Sequence, residues 1–279
     1  MLVKPDTNRY THATQLYKMP RKMTKDFAWS LGLMYGDGSV AKDAPRMIVQ
    51  CANDQPDIKD KYVTTIKELF NYDCTYTDQK KGCITVRINS RHIIDFLQVN
   101  NVLKQKCHEL VFPQLILDSS KEIQNAFVAG VWDADGGISL MNYKKMGLTL
   151  TQIYINMTAI DFVEQIEKLL ECQFRSELIE KHDGGRDQKK IYVNPKDMRL
   201  FLDQFTESVK VQNVTALNPR FPKDGKYGMH RFTHKDGTVI EANMTKFCKD
   251  NGYSCGNFSN VKNGKLNSAY GFVKIEQLY

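Results

Sequence analysis

The sequence predicts an α+β protein in which a domain-sized unit occurs twice and is followed by a small basic module. Similar apolar runs, each ending in an acid and a glycine, occupy residues 28–39 and 126–137. Their acids, Asp37 and Asp135, are separated by roughly the length of a small domain, which indicates a duplication and not a solenoid of short repeats. The same order of helix, strands, helix, hairpin and helix is predicted after each run starts.

The composition excludes several classes of protein. The chain has 279 residues, a net charge of +7 and 42% hydrophobic residues, enough for one large core or two smaller ones. No apolar run reaches the roughly 18 residues of a membrane span, and the first residues lack a secretory leader. Seven cysteines without a CxxC pair favour an intracellular, reducing compartment, either a bacterial or phage-infected cytoplasm or an organelle.

The elements of the two units follow from apolar alternation, β-branched content and Gly-bearing turns. In the first unit, the motif helix starts after the Thr24 cap, and we predict a strand at 46–50, a helix at 58–70, a hairpin of 74–77 with 84–88 and a short helix at 93–97. In the second unit, we predict a strand at 147–152, a helix at 159–170, a hairpin of 174–178 with 190–193 and a short helix at 198–205.

These elements divide the chain into five parts. They are a basic arm at 1–23, half-domains at 24–118 and 119–217, a Pro- and Gly-bearing linker at 218–228 and a terminal module at 229–279. Because both halves are in one chain, we expect a monomer.

Small residues recur at every fourth position of both apolar runs, and therefore lie on one helical face: Ala28, Gly32 and Gly36, and Ala126, Gly130 and Ala134. Such faces let two helix backbones approach closely, so we predict that the two motif helices pack on each other. This packing would bring Asp37 and Asp135 together, where a divalent cation would relieve their repulsion. With the carbonyl groups of Gly36 and Ala134, the ligands would all be oxygen, which suits Mg²⁺. The alternative is that each Asp-Gly pair is only a C-terminal turn with a solvated carboxylate.

These motifs resemble those of the LAGLIDADG homing endonucleases that carry both half-domains in one chain. Residues 128–136, VAGVWDADG, are a near match to the signature, and residues 31–38, LGLMYGDG, are a looser match. The resemblance spans about residues 24–215. It implies two pseudo-symmetric αββαββα half-domains whose antiparallel sheets form a saddle over double-stranded DNA. It also implies that Asp37 and Asp135 hold the metal and that both strands are cut to leave short 3′ overhangs.

The resemblance implies roles for further residues. Gln50 and Gln152, at the ends of strands, would order water near the metals, and Lys104 and Lys210 would face the scissile phosphates. The alternative for each lysine is a solvated helix end. Tyr35 replaces the first acid of the signature whereas Asp133 keeps it, which suggests that the halves are asymmetric.

Side chains on the predicted strands and turns are candidates for reading DNA, since basic groups contact phosphates or guanine edges. They are Arg46, Thr75, Thr77, Arg87, Arg175, Lys181, Arg186, Lys189 and Lys190. Many of them could instead be solvated hairpin side chains.

The terminal module predicts a hairpin at 231–240, a helix capped by Asn243 that ends at Asn251-Gly252, and a second helix at 255–261. This order is typical of a helix-turn-helix and resembles the small DNA-binding modules that accompany homing nucleases. Asn257, Ser259 and Asn260 would lie near bases, and Lys262 and Lys265 near phosphates. The alternative is a packing module without a DNA role. A zinc set of His230, His234, Cys248 and Cys255 matches no standard finger spacing.

The sequence therefore favours a site-specific, Mg²⁺-dependent DNA endonuclease that acts in intron homing, with Mn²⁺ or Ca²⁺ able to substitute in binding. One alternative is an intron-encoded RNA maturase, possibly with both functions, whose partner would be its own intron RNA. Another is a non-catalytic transcription regulator. The acids retained in both motifs favour cleavage.

Overall fold

A computed structural model describes residues 1–5, 17–41, 46–52, 55–79, 82–106, 109–143, 147–181, 185–217 and 229–278. The chain forms two compact units. The larger comprises residues 1–139, 152–194 and 200–218, and the smaller comprises residues 140–151, 195–199 and 219–279. The predicted linker at 218–228 lies outside the described residues.

The predicted repeat, most of which lies in the larger unit, confirms the α+β class. The first copy runs through α1 (Lys25–Asp37), β1 (Gly38–Val40), β2 (Met47–Ala52), α2 (Pro56–Phe70), β3 (Thr75–Gln79), β4 (Cys83–Ile88) and α3 (Arg91–Val99). After a short helix, α4 (Gln114–Leu117), the second copy runs through α5 (Lys121–Asp135), β5 (Gly136–Tyr143), β6 (Gly147–Met157), α6 (Ile160–Leu169), β7 (Phe174–Ile179), β8 (Gln188–Val193), a 3₁₀ turn (Pro195–Asp197), α7 (Met198–Gln204) and α8 (Val209–Ala216).

The two copies have the same sheet topology. The strand orders are β1-β2-β4-β3 and β5-β6-β8-β7, and the registers of β2, β3 and β4 and of β6, β7 and β8 are antiparallel. Local sequence sets the helix starts, since the hydroxyl groups of Thr24, Ser90 and Ser208 each accept a hydrogen bond from a first-turn backbone N–H.

The contact between α1 and α5 depends on a reciprocal pair of glycines, as the small-residue spacing predicts. A Cβ atom added to Gly32 would lie 1.9 Å from the carbonyl oxygen of Phe127. A Cβ atom added to Gly130 would lie 2.0 Å from the carbonyl oxygen of Trp29. Each helix therefore touches the bare backbone of the other, and no residue larger than glycine fits at either crossing position.

The beginning of the chain differs from the expected arm. Leu2 and Met19 are buried, and the backbone N–H of Val3 donates to the Asn100 side chain at 2.8 Å. The backbone N–H of Lys18 donates to the carbonyl oxygen of Phe70 at 3.0 Å. Residues 1–5 and 17–23 therefore pack against the first half and are hydrogen-bonded to it.

The terminal module has its own small core and a strand that the sequence did not predict. It contains β9 (Met229–His234), β10 (Val239–Asn243), α9 (Met244–Asn251), α10 (Cys255–Lys262) and β11 (Phe272–Gln277). The sheet order is β10-β9-β11, and its core centres on Phe232, Phe258 and Phe272. Asn243 caps α9, and Gly252 ends that helix with a positive φ of 66°, as predicted.

None of the helices among the described residues has the length and apolar character that crossing a bilayer requires.

Candidate active site

The two motif carboxylates lie where α1 and α5 end beside each other. The side-chain oxygen Oδ2 of Asp135 is 2.9 Å from the place that a Cβ atom on Gly36 would occupy, so one motif's acid touches the other motif's backbone. Burial raises the pKa of Asp37. Burial, followed by the nearby charge of Asp37, raises the pKa of Asp135 to about 6. Burial thus resists the ionisation of both carboxyl groups, and the charge of Asp37 further resists that of Asp135.

The two predicted lysines lie against the helix ends. Lys104 is 6% exposed, and its Nζ donates to the carbonyl oxygen of Gly36 at 2.6 Å. The Nζ of Lys210 donates to the carbonyl oxygens of Gly136 at 2.7 Å and Ala134 at 3.3 Å. Both cations act to lower the pKa of both carboxyl groups. They are therefore not solvated helix ends, since they neutralise the negative ends of both motif helices.

The carbonyl groups of Gly36 and Ala134, expected as metal ligands, accept hydrogen bonds from Lys104 and Lys210. A carbonyl oxygen has a second lone pair, so their role as metal ligands stays a prediction. The negatively charged ligands of the predicted set are the carboxylates of Asp37 and Asp135. This oxygen pair fits Mg²⁺, which binds through one or two carboxylates and keeps several waters.

No three His, Cys, Asp or Glu side chains in the described part of the chain cluster so as to hold a metal ion. The described module residues His230, His234, Cys248 and Cys255 are included in this finding.

The two halves differ in structure at the first acid position of the motif, which is Tyr35 in the first half and Asp133 in the second. Asp133 is 2% exposed and accepts hydrogen bonds from the indole of Trp29 at 2.8 Å, the hydroxyl group of Ser208 at 2.6 Å, and the backbone N–H groups of residues 209 and 210. It therefore fixes the start of α8, the helix that carries Lys210. Tyr35 instead packs on Phe127 and Phe162, and residues 102–106 around Lys104 form no helix.

Loss of the hydroxyl group of Ser208 should therefore destabilise the second half. We expect Ser208→Ala to lower the free energy of unfolding by about 1–2 kcal/mol, because it removes both a helix cap and a donor to Asp133. The matched control is Ser90→Ala, which removes only the cap of α3 and should cost less. Urea unfolding of both variants measures the difference, and equal losses would contradict the role of Asp133.

The strand register moves one predicted site residue. Gln50 pairs with Thr85, and Asn156 pairs with Lys190. Thr85 and Lys190 each lie three residues before the end of their strands, so Asn156, and not Gln152, is the counterpart of Gln50. The sequence did not reveal Asn156 because the strand was expected to end at Gln152, whereas β6 continues to Met157.

A cavity of about 210 Å³ lies beside Asp135. It is lined by Tyr35, Gly36, Lys104, Leu110, Asp135, Asn156, Met157, Thr158 and Gln188. Both motif helices and the second sheet thus contribute to its walls.

The first sheet presents the predicted DNA-reading residues as a polar group. Thr75 and Thr77 are exposed, and Nη1 of Arg87 donates to the hydroxyl group of Thr77 at 2.8 Å. Arg46 is exposed just before β2. This surface offers hydrogen-bonding groups that are held in place on adjacent strands.

The second sheet presents cations stacked on tyrosines. Arg175 lies 4.5 Å above the Tyr192 ring, and Nζ of Lys190 lies 4.2 Å from the Tyr154 ring. Sequence reasoning missed both tyrosines, although alternation with Lys190 places Tyr192 on the same strand face. Lys181 and Arg186 are exposed at the two strand-connecting ends.

Lys189 does not share that surface. Its Nζ lies 3.1 Å from Glu164 and 2.8 Å from Glu167, two side chains of α6, so it faces the helical layer. The prediction that Lys189 reads DNA with Lys190 is corrected, because neighbouring residues of a strand point to opposite faces.

In the module, the predicted reading residues divide into two groups. Asn257, Lys262 and Lys265 are exposed; Asn257 donates to the hydroxyl group of Tyr270 at 3.2 Å and Lys262 to the side chain of Gln277 at 2.7 Å. Ser259 and Asn260 are half-buried.

Comparison with known proteins gives the following similarities. No family model matches the chain. It is 22% identical over 97% of its length to the probable translation initiation factor IF-2 of Methanocaldococcus jannaschii, and spans 22% of that protein. It is 29% identical over 40% of its length to a component of the A-type ATP synthase of Methanopyrus kandleri, and spans 10% of that component.

Among solved structures, I-DmoI in complex with DNA and Mn is 16% identical with a TM-score of 0.47, covering 67% of this chain and 99% of that one. The I-LtrWI LAGLIDADG homing endonuclease bound to target DNA is 12% identical with a TM-score of 0.46, covering 71% and 89%. Full-length DUF199/WhiA from Thermatoga maritima is 11% identical with a TM-score of 0.45, covering 87% and 71%.

Proposed function

We propose that this protein is a site-specific DNA endonuclease that hydrolyses both strands of a long double-stranded target with divalent metal held by Asp37 and Asp135. The observation that carries the proposal is the meeting of two half-buried carboxylates at the ends of α1 and α5, with a lysine ammonium group beside each helix end. Carboxylates held together against their repulsion are stabilised by a divalent cation. The sequence motifs that bring them together resemble those of LAGLIDADG endonucleases.

The chemistry divides between the metal and the chain's own residues. Bound divalent metal supplies a more acidic water and stabilises charge on the phosphate oxygens and the leaving oxygen. Asp37 would hold the metal at one centre, and Asp135 would hold it at the other. The charges of Lys104 and Lys210 stand within the same site and favour negative charge that develops on a phosphate. Gln50 and Asn156 supply amides at matched strand positions that orient water.

The two sheets and the module would bind the DNA. Arg87 with its threonine partners offers hydrogen bonds to base edges, and the stacked cations Arg175 and Lys190 offer charge to phosphates. A single chain supplies both centres, so the proposed enzyme is a monomer that leaves short 3′ overhangs and serves in intron homing.

Selection of cleaved sites from a DNA library tests the function. The library should span the insertion junction of the protein's own gene, with Mg²⁺, Mn²⁺ or Ca²⁺ supplied in parallel. We expect double-strand cuts at one sequence with Mg²⁺, and none with Asp37→Asn or Asp135→Asn. Absence of any cut by the unaltered protein would contradict the proposal, and intron-RNA binding that survives both substitutions would support a maturase.

The module gives a separate expected result. We expect the double substitution of Lys265→Ala and Asn257→Ala to weaken target binding about tenfold and to shorten the protected footprint at one end only. Losing one phosphate-contacting lysine should also reduce the slope of log Kd against log salt by about one. Binding titrations at several salt concentrations, with DNase I footprints, measure both. As a control, Lys168→Ala on α6 should change neither, and a full-length footprint for the double variant would reject the module's DNA role.

A further inference from the structure

The cavity beside Asp135 contains an acceptor that no described side chain or backbone group satisfies. The side-chain oxygen Oδ1 of Asn156 is buried without a hydrogen-bond partner, while its Nδ2 donates to Oε1 of Gln188 at 2.9 Å. Buried acceptors are almost always hydrogen-bonded to protein or ordered water. The cavity volume of about 210 Å³ accommodates several waters. The amide oxygen of Asn156 is therefore positioned for a donor that enters the cavity beside the carboxylate.

The corresponding place in the first half has different chemistry. Gln188 lies two residues before Lys190, and the residue two before Thr85 is Cys83. The strand pairings therefore match Asn156 and Gln188 in the second half with Gln50 and Cys83 in the first. An amide pair that fixes the orientation of its own oxygen occurs at the Asp135 centre, whereas the Asp37 centre has an amide and a thiol at those positions.

We propose, building on the endonuclease function above, that the Asn156–Gln188 pair makes the two centres unequal. The amide oxygen of Asn156, held by Gln188, accepts a hydrogen bond from the water shell of the divalent cation at Asp135. A pre-oriented partner of this kind strengthens cation binding by about tenfold or more. The Asp135 centre therefore binds the cation more tightly than the Asp37 centre, and it cuts its DNA strand first.

Metal binding by the full-length protein without DNA tests the first step. Titration with Mn²⁺, followed by the electron paramagnetic resonance of free Mn²⁺, should resolve two sites that differ about tenfold in Kd. Asn156→Leu should weaken the tighter site about tenfold, and Asn156→Gln, which keeps the amide, should weaken it less. The reciprocal variant Gln50→Leu should spare the tighter site. Two equal sites in the unaltered protein, or an unchanged tighter site in a folded Asn156→Leu protein, would overturn the proposal.

Strand-resolved cleavage tests the second step. With a different dye at the 5′ end of each strand of the selected target, one strand should be cut several-fold faster than the other. Combining Asn156→Gln with Gln188→Cys gives the second centre the residues of the first and should bring the ratio of the two rates towards one. Equal rates in the unaltered protein, or a ratio that the double variant leaves unchanged, would overturn the order of cutting. If the unaltered protein cuts neither strand, the proposed endonuclease function is wrong. The Mn²⁺ titration then still shows whether the two centres differ in their affinity for the cation.

Discussion

Replacing Gly130 with alanine is expected to destabilise the protein by about 3 kcal/mol or more, because the new methyl group would overlap backbone atoms of α1. Its Cβ would lie 2.0 Å from the carbonyl oxygen of Trp29 and 2.8 Å from the backbone nitrogen of Leu33. Both neighbours are backbone atoms of α1, so no side-chain rotation relieves the overlap, and the two helices must separate along their contact. A typical domain is stable by only about 5–15 kcal/mol, so this loss is a large part of the total.

Gly32, which faces α5 at the same helix crossing, allows the prediction to be tested with a double variant. Gly32→Ala meets the carbonyl oxygen of Phe127 at 1.9 Å and should cost a similar amount. The two substitutions enlarge the same gap, so the double variant should lose less than the sum of the single losses. Chemical denaturation of the two single variants and the double variant measures the three losses in the free energy of unfolding. Fully additive losses would mean that the two glycines do not share one helix contact.

A glycine elsewhere in the chain provides the matched control. Gly256 lies within α10, and a Cβ atom there would meet only the hydroxyl oxygen of Ser254, at 3.5 Å. Gly256→Ala should therefore be neutral or stabilise the module by up to about 1 kcal/mol, since alanine favours helix. A loss at Gly256 as large as that at Gly130 would show that helix glycines in general, and not the crossing, set the cost.

The central contact could be predicted from sequence because it depends on local spacing. Small residues four positions apart lie on one helical face in any surroundings. This spacing was therefore enough to predict that α1 packs on α5 and that Asp37 lies near Asp135. The sequence also singled out Lys104 and Lys210, but not their hydrogen bonds to the carbonyl groups at the helix ends. Which carbonyl a lysine reaches depends on how chain segments far apart in sequence return to the helix ends.

The errors have physical reasons of the same kind. Gln152 was chosen because it ends an alternating stretch, whereas the register with β8 selects Asn156, and register is a property of two strands together. The strand β11 was missed because its partner, β9, lies about forty residues earlier, across two helices. Lys189 could have been excluded by alternation alone, since it adjoins Lys190 in one strand.

The ionised carboxylate of Asp135 is expected to reduce the stability of the folded protein. Its pKa is about 6 in the folded protein because of burial and the charge of Asp37, against about 3.9 in an unfolded chain. Because the folded state disfavours the ionised form of this carboxyl group, its contribution to the free energy of unfolding is most favourable below about pH 4. That contribution is lost as the pH rises towards 6. Asp135→Asn removes this charge, so at pH 7.5 without divalent metal the variant should be more stable than the unaltered protein by about 1–3 kcal/mol.

Two comparisons separate this effect from a general change in stability. At pH 4 the difference between Asp135→Asn and the unaltered protein should become small, because the carboxyl group is protonated in the folded state and about half protonated in the unfolded chain. At pH 7.5, added Mg²⁺ should raise the melting temperature of the unaltered protein by more than that of the variant, which keeps only the weaker centre at Asp37. Melting curves at both pH values, with chelator or with Mg²⁺, provide the measurement.

The neighbouring acid of the same motif should respond in the opposite direction. Asp133 accepts hydrogen bonds from Trp29, Ser208 and two backbone N–H groups, so Asp133→Asn should cost about 2–3 kcal/mol. In cleavage, Asp135→Asn should lose more than about a hundredfold in rate because it removes a metal ligand. We therefore expect that Asp133 stabilises the fold and that Asp135 binds the proposed cation. An Asp135→Asn protein that is less stable in chelator at pH 7.5, or that cleaves at the unaltered rate, would refute this division of roles.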